Sequence, residues 1–165
     1  MALSFAARAR GDTLADLIHT TTPDGVTEHY AWDARGNLTG HTDGEGHTTT
    51  FDYDERDHII QVTDPAGHSH QFAYNAQGQQ ISHTDPLEQT ETFEYDLLGR
   101  PTGHTNTLGQ GLSLTYTVQG QVSQFIDPAG KYTEWRYNAQ GQLTEQRRPG
   151  NQRQRYHYND DGLIN

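Results

Sequence analysis

The residues of this chain that could do chemistry are its ten histidines and 22 carboxylates, in a sequence without cysteine. Their spacing is regular. His41, His83 and His104 fall at multiples of 21 residues, and so do His47 and His68. If each 21-residue step is one β-hairpin, equivalent histidines lie two strands apart, roughly 9.5–10 Å. That is too far for two imidazoles to share a zinc ion at ~2.0–2.1 Å from each. Pairs on one strand, such as His68 and His70, could bind weakly, and solvated strand histidines are the expectation. The aspartates sit at turn signals, one or two per turn and several beside proline. This suits turn geometry better than a calcium cage that draws many oxygens into one loop. No carboxylate leaves the repeat to form a singular acid–base pair, and no phosphate loop or helix-borne metal motif is present. The chain is therefore expected to hold no catalytic residue, no cofactor and no metal, and not to be an enzyme. What remains is a ladder of aromatic rings, which could stack on sugars. A carbohydrate- or cell-wall-binding module is accordingly the alternative reading.

The same aromatics define the elements that must position everything else. Trp32, Tyr53, Tyr74, Tyr95, Tyr116, Tyr137 and Tyr158 recur every 21 residues without exception. Two residues before each stands Tyr30, Phe51, Phe72, Phe93, Leu114, Trp135 or Tyr156, and the two columns hold 13 of the 16 aromatics. Internal repeats of this length mark an array of small units that stabilise one another by stacking. Four residues after the second aromatic comes Gly36, Gly78, Gly99, Gly120, Gly141 or Gly162, with Asp57 in the remaining copy. Five of the six prolines occupy one further column, clearest in Asp64-Pro65-Ala66-Gly67 and Asp127-Pro128-Ala129-Gly130. Asp accepts from backbone N–H groups, Pro sets φ and Gly tolerates positive φ, so both columns read as tight turns. Between the turns run about five to seven residues, ordinary strand length. In Thr133-Glu134-Trp135-Arg136-Tyr137 the aromatics take one parity and the charges the other, as on a strand with one apolar face. The return strand is weaker: Leu38, Ile59, Val122, Leu143 and Ile164 share a column that Gln80 and Pro101 break. The expected fold is all-β, a tandem array of antiparallel β-hairpins of period 21 in a curved, spiral-type open sheet. Residues 21–165 make seven such repeats, the last incomplete, and residues 1–20 form a lead-in or a degenerate repeat.

Composition agrees with a thin sheet. Only 31% of the residues are hydrophobic, against roughly 45–50% apolar in ordinary globular chains. The formal net charge of −11 repels phosphate backbones, so no nucleic-acid partner is expected. No apolar run approaches the ~20 residues of a membrane span, and the N-terminus lacks the apolar stretch of a signal peptide.

The motif Tyr-Asp/Asn-x-x-Gly-x-Leu, followed by Asp-Pro-x-Gly and a further strand, resembles the YD repeats of Rhs family proteins. Tyr95-Asp96-Leu97-Leu98-Gly99-Arg100 and Phe51-Asp52-Tyr53-Asp54 are typical copies. The resemblance covers about residues 21–165, and its Gln-, Thr- and His-rich filler is more similar to the bacterial branch than to the animal teneurins. In bacterial Rhs proteins and related toxin-complex subunits, such repeats spiral into a hollow β-shell that encloses a C-terminal toxin. The resemblance thus implies a structural segment of a toxin-encapsulating shell, used in bacterial competition or against a host. It also implies partners outside this chain, either further repeats or toxin cargo, and export as part of a larger protein that stays cytoplasmic until delivery. The chain departs from the full pattern: seven repeats cannot close a large shell, Asn165 falls part-way through a repeat, and no protease boundary motif or toxin domain follows. A fragment or truncated member is expected, with open strand edges that invite self-association.

Overall fold

The computed structural model describes residues 2–4 and 18–164. The chain divides into two compact units, Met1–Gln89 and Thr90–Asn165. The first contains β1 (Ala2–Ser4), β2 (Ile18–Thr21), β3 (Thr27–Trp32), β4 (Leu38–Thr42), β5 (Thr48–Tyr53), β6 (Ile59–Thr63), β7 (Ser69–Tyr74) and β8 (Gln80–Thr84). The second contains β9 (Thr90–Tyr95), β10 (Pro101–Thr105), β11 (Gly111–Tyr116), β12 (Val122–Ile126), β13 (Tyr132–Tyr137), β14 (Leu143–Arg148) and β15 (Gln152–Arg155). Within each unit every strand pairs antiparallel with the next one in the chain, so sheet order is chain order. The fold is the all-β array of tandem hairpins that the repeat predicts. After β15 the last hairpin closes on the bridge between Tyr158 and Ile164. The lead-in or degenerate repeat expected over residues 1–20 falls mostly outside the described residues.

Both turns of the repeat are the same loop, except between β14 and β15, where Pro149–Asn151 form a 3-10 turn with Gly150 also at positive φ. In the Asp64 turn, the Asp64 N–H donates to the His68 carbonyl at 2.9 Å and the Gly67 N–H to the Asp64 carbonyl at 3.0 Å. The Asp64 carboxylate then accepts from the backbone N–H groups of Ala66 and His68, at 2.9 and 2.8 Å. The Asp54 turn repeats this pattern, with Arg56 and His58 as donors at 2.8 and 2.9 Å. The sequence suggests two turn types, Asp-Pro-x-Gly and Asx-x-x-Gly, whereas the geometry is common and the proline is optional. The fourth residue of each loop has positive φ. It is usually glycine, but Asp57, Glu88 and Asn151 adopt it too, at 66°, 61° and 62°.

The repeat contains one irregularity that the sequence pattern hides. Asp52 opposes Gln61 and Phe51 opposes Val62, but Tyr53 opposes Ile59, so Ile60 is an extra residue in β6. The same β-bulge recurs at Thr39, Ile81, Thr102, Ser123 and Thr144. Directly opposed residues share a face of the sheet. The bulge therefore brings Ile59 and Val62, three apart in sequence, onto the face that carries Phe51 and Tyr53.

Among the described residues no apolar side chain is buried. The buried positions are Gly40, Gly103 and Glu145, which belong to one column of the return strand. Each unit is thus a single sheet layer with solvent on both faces, held by its backbone ladder, its turns and its cross-strand pairs.

The positive-φ position gives a clean test. A methyl group at Gly67 would meet nothing within 4 Å, so Gly67→Ala probes backbone conformation alone. Urea unfolding is expected to show a loss of about 1–2 kcal/mol for Gly67→Ala. Glu88→Gly is expected to shift the midpoint the opposite way, by about 0.5–1 kcal/mol after glycine's entropic cost.

Candidate functional site

The face that carries the aromatic columns is the richest in specific contacts. Backbone pairing between β4 and β5 stops at Gly40 and Thr50. Beyond that point the Tyr53 hydroxyl donates to the Leu38 carbonyl at 2.8 Å and ties the two strands together again. The contact recurs from Tyr74 to Ile59, Tyr116 to Pro101, Tyr137 to Val122 and Tyr158 to Leu143, at 2.6–2.9 Å. Each acceptor is the first residue of a return strand, at the bulge. This explains why the second aromatic column is tyrosine while the first admits Phe51, Phe72, Phe93, Leu114 and Trp135. Trp32 opens the tyrosine column with an indole whose buried Nε1–H has no acceptor among the described residues.

The last residue of the preceding turn covers the tyrosine ring. His58 stacks on Tyr74 with ring centres 4.7 Å apart, and the Arg100 guanidinium lies 4.4 Å above the Tyr116 ring, a cation–π contact. Along the same rim, Gln121 and Gln142 donate to the carbonyls of Gly141 and Gly162, one repeat further on. Gly36, Gly78, Gly99, Gly120, Gly141 and Gly162 are the positive-φ residues of these rim turns. Burial raises the pKa of the Tyr53, Tyr74 and Tyr137 hydroxyls.

The first aromatic column stacks on histidines of the return strand. Tyr30 meets His41, Phe72 meets His83 and Phe93 meets His104, with ring centres 4.8–5.0 Å apart. These histidines, expected to be solvated, are half-exposed, and each stacks on a ring and has a polar partner. His41 lies 3.3 Å from Glu28, His104 lies 2.9 Å from Glu91, and His83 lies 2.9 Å from His70. Nor are His68 and His70 a pair. His68 ends a turn and meets the Asp64 carboxylate at 3.0 Å, as His47 and His58 meet Asp43 and Asp54. Sequence inspection misses these pairs because their members stand 13 residues apart, a distance that only the bulged register makes short.

The opposite face is polar. Hydroxyls pair across the strands at Thr21–Thr27, Thr42–Thr48 and Thr63–Ser69, 2.8–3.1 Å apart. In the last repeat arginines replace them. Glu145 accepts from Arg147 at 2.5 Å and from Arg155 at 3.1 Å, with Arg153 at 3.6 Å. The hydrogen bond from Arg147, then that from Arg155, lowers the Glu145 pKa to about 2. Asp54 is likewise lowered to about 2, first by the His58 side chain and then by the His58 backbone N–H. Asp33, Asp43, Asp64 and Asp96 shift the same way through their own turns. Among the described residues no three His, Cys, Asp or Glu side chains converge as a metal-binding group.

The RHS Repeat family model matches residues 16–48, 32–69, 74–110 and 116–153. No curated protein matches the sequence. Among solved structures, the crystal structure of TcdB2-TccC3-TEV superposes with a TM-score of 0.58 at 17% identity, over 90% of this chain and 9% of that one. The crystal structure of TcdB2-TccC3 gives 0.57 at 17% identity, over 90% of this chain and 10% of that one. That of TcdB2-TccC3-Cdc42 gives 0.58 at 17% identity, over 90% and 9%. The likeness is one of fold, and this chain spans about a tenth of the length of those it matches.

Two measurements follow. Tyr74→Phe keeps the ring and loses its bond to the Ile59 carbonyl, so chemical denaturation is expected to show a loss of about 1 kcal/mol. For the turn aspartates, a folded pKa below the ordinary 3.8 means that the charged form is favoured in the fold. Their contribution is complete above about pH 4 and is lost as pH falls towards 2. Thermal melts by circular dichroism are expected to hold a level midpoint above pH 5 and to fall between pH 4 and 2. Asp54→Asn, which copies the natural turn residue Asn75, is expected to make that fall shallower.

Proposed function

The chain belongs to the RHS repeat family, and from this premise we propose that it is a non-catalytic length of wall in an Rhs-type shell that encloses and helps deliver a polymorphic toxin. The observation that carries this reading is the single-layer sheet without a buried apolar side chain among its described residues, extended hairpin by hairpin with the same turns and the same tyrosine bond. Such a sheet adds area without a core and can be lengthened by repetition. In this reading the partners are further repeats and a cargo domain, and the wall travels as part of a larger exported bacterial protein. The free backbone of an edge strand is where the next repeat, or a second copy of the chain, would pair.

Carbohydrate binding is the second reading, favoured by the half-exposed aromatic face. The rings already stack on His41, His58, His83, Arg100 and His104, which leaves less of each face for a sugar.

The shell reading is tested on the full polypeptide that contains these repeats. Limited proteolysis is expected to spare a non-repeat domain while the repeats are intact and to digest it once they are deleted. Equal digestion rates would count against enclosure. Titration of the isolated chain with peptidoglycan and polysaccharide fragments is expected to leave the aromatic ring resonances unmoved. Sedimentation over a dilution series is expected to show an average mass that falls on dilution, and a constant monomer mass would remove edge pairing.

A further inference from the structure

Three repeats place polar side chains at the same two positions on the aromatic face. Two of these pairs join a carboxylate to an imidazole, Glu28 with His41 and Glu91 with His104. The third joins two imidazoles. Nδ1 of His70 lies 2.9 Å from Nε2 of His83, so one ring donates its N–H and the other accepts on a bare nitrogen. His83 stacks on Phe72, with ring centres 5.0 Å apart at 8°, and meets His70 edge to edge, with ring centres 5.1 Å apart at 16°. Both residues are half-buried, so solvent reaches them.

From this geometry we infer that His70 and His83 form a two-imidazole chelate for a first-row divalent metal ion. Two nitrogens 2.9 Å apart, each ~2.0–2.1 Å from a metal, subtend about 90° at it. That angle suits neighbouring positions of a tetragonal or octahedral ion, such as Cu(II) or Ni(II), better than the wider tetrahedral angle of a structural zinc site. Each ring turns so that its lone pair leaves the nitrogen–nitrogen line by about 45° and points at the metal. With His70 as the donor ring, the ion replaces the shared proton, which moves through solvent to Nε2 of His70, so both imidazoles stay neutral. Water is a fitting source of the remaining ligands of such an ion. Imidazole selects against calcium and magnesium, which take oxygen donors. The proposal does not depend on the shell reading.

The test uses the full, untagged, metal-stripped chain titrated with CuCl2 or NiCl2 by calorimetry, alongside Cu(II) broadening of the histidine ring protons. One ion is expected to bind per chain at this pair, and the His70 and His83 signals are expected to broaden first. His70→Thr and His83→Gln are each expected to weaken that binding at least tenfold. The same two columns naturally hold Thr133 and Gln146, and circular dichroism melts check that each variant is folded. The turn variants His47→Gln and His68→Gln are expected to leave it unchanged. Undiminished affinity in the His70→Thr/His83→Gln double variant, or first broadening at the turn histidines in the unmodified chain, would overturn the assignment.

Discussion

An odd repeat and an alternating strand are in conflict. Were the pairing regular through Ile60, with no bulge, Phe51 would oppose Gln61, which opposes Gln71 across the next pair of strands. Phe72, the neighbour of Gln71, would then emerge on the other face, because a one-residue slip turns over every side chain. The bulge at Ile60 and at its equivalents absorbs that residue once per repeat and keeps the 21-residue columns on one side. Everything distinctive about the two faces depends on this correction. The tyrosine bonds, the ring stacks and the imidazole pairs need one face, and the hydroxyl pairs need the other.

A sheet of one layer cannot draw its stability from a buried interior, and this one replaces that interior with local closure. Most turns satisfy two of their own backbone donors through one Asx side chain. Tyrosines of the second aromatic column recover a carbonyl where the ladder has diverged, and His41, His83 and His104 of the return strand rest on aromatic rings. Every such contact is modest and half in water, but each recurs, so stability accumulates along the array. The arginine cluster on Glu145 shows the scheme adapting. Where hydroxyl pairs give way to long cationic side chains, a carboxylate occupies the column that elsewhere holds Gly40 and Gly103.

Much of this was legible in the sequence. Trp32 through Tyr158 announce the period, Asp64-Pro65-Ala66-Gly67 announces the turns, and the alternation around Trp135 announces strands. Those signals are local, and local chemistry is enough to read them. The bulge was not legible, since Ile60 and Thr102 look like any other strand residues and register belongs to a pair of strands. The partners of His41, His83 and His104 were hidden for the same reason. The identity of the two turns was masked by the prolines, which suggest a difference that the backbone does not have. The value of Tyr over Phe in the second column emerges only when an acceptor carbonyl is located across the sheet.

The tyrosine bond also bears on how such a chain is made. Its hydroxyl reaches a carbonyl 15 residues earlier, the histidine pairs close over 13 residues and the rim contacts over about 20. On a ribosome emitting this sequence, the two partners of each of these contacts therefore emerge within about 20 residues of one another. Each hairpin can dock on a finished predecessor without waiting for distant chain, as expected where contacts are short in sequence. Growth is templated by the last completed unit, so the array can be built at whatever length the message encodes.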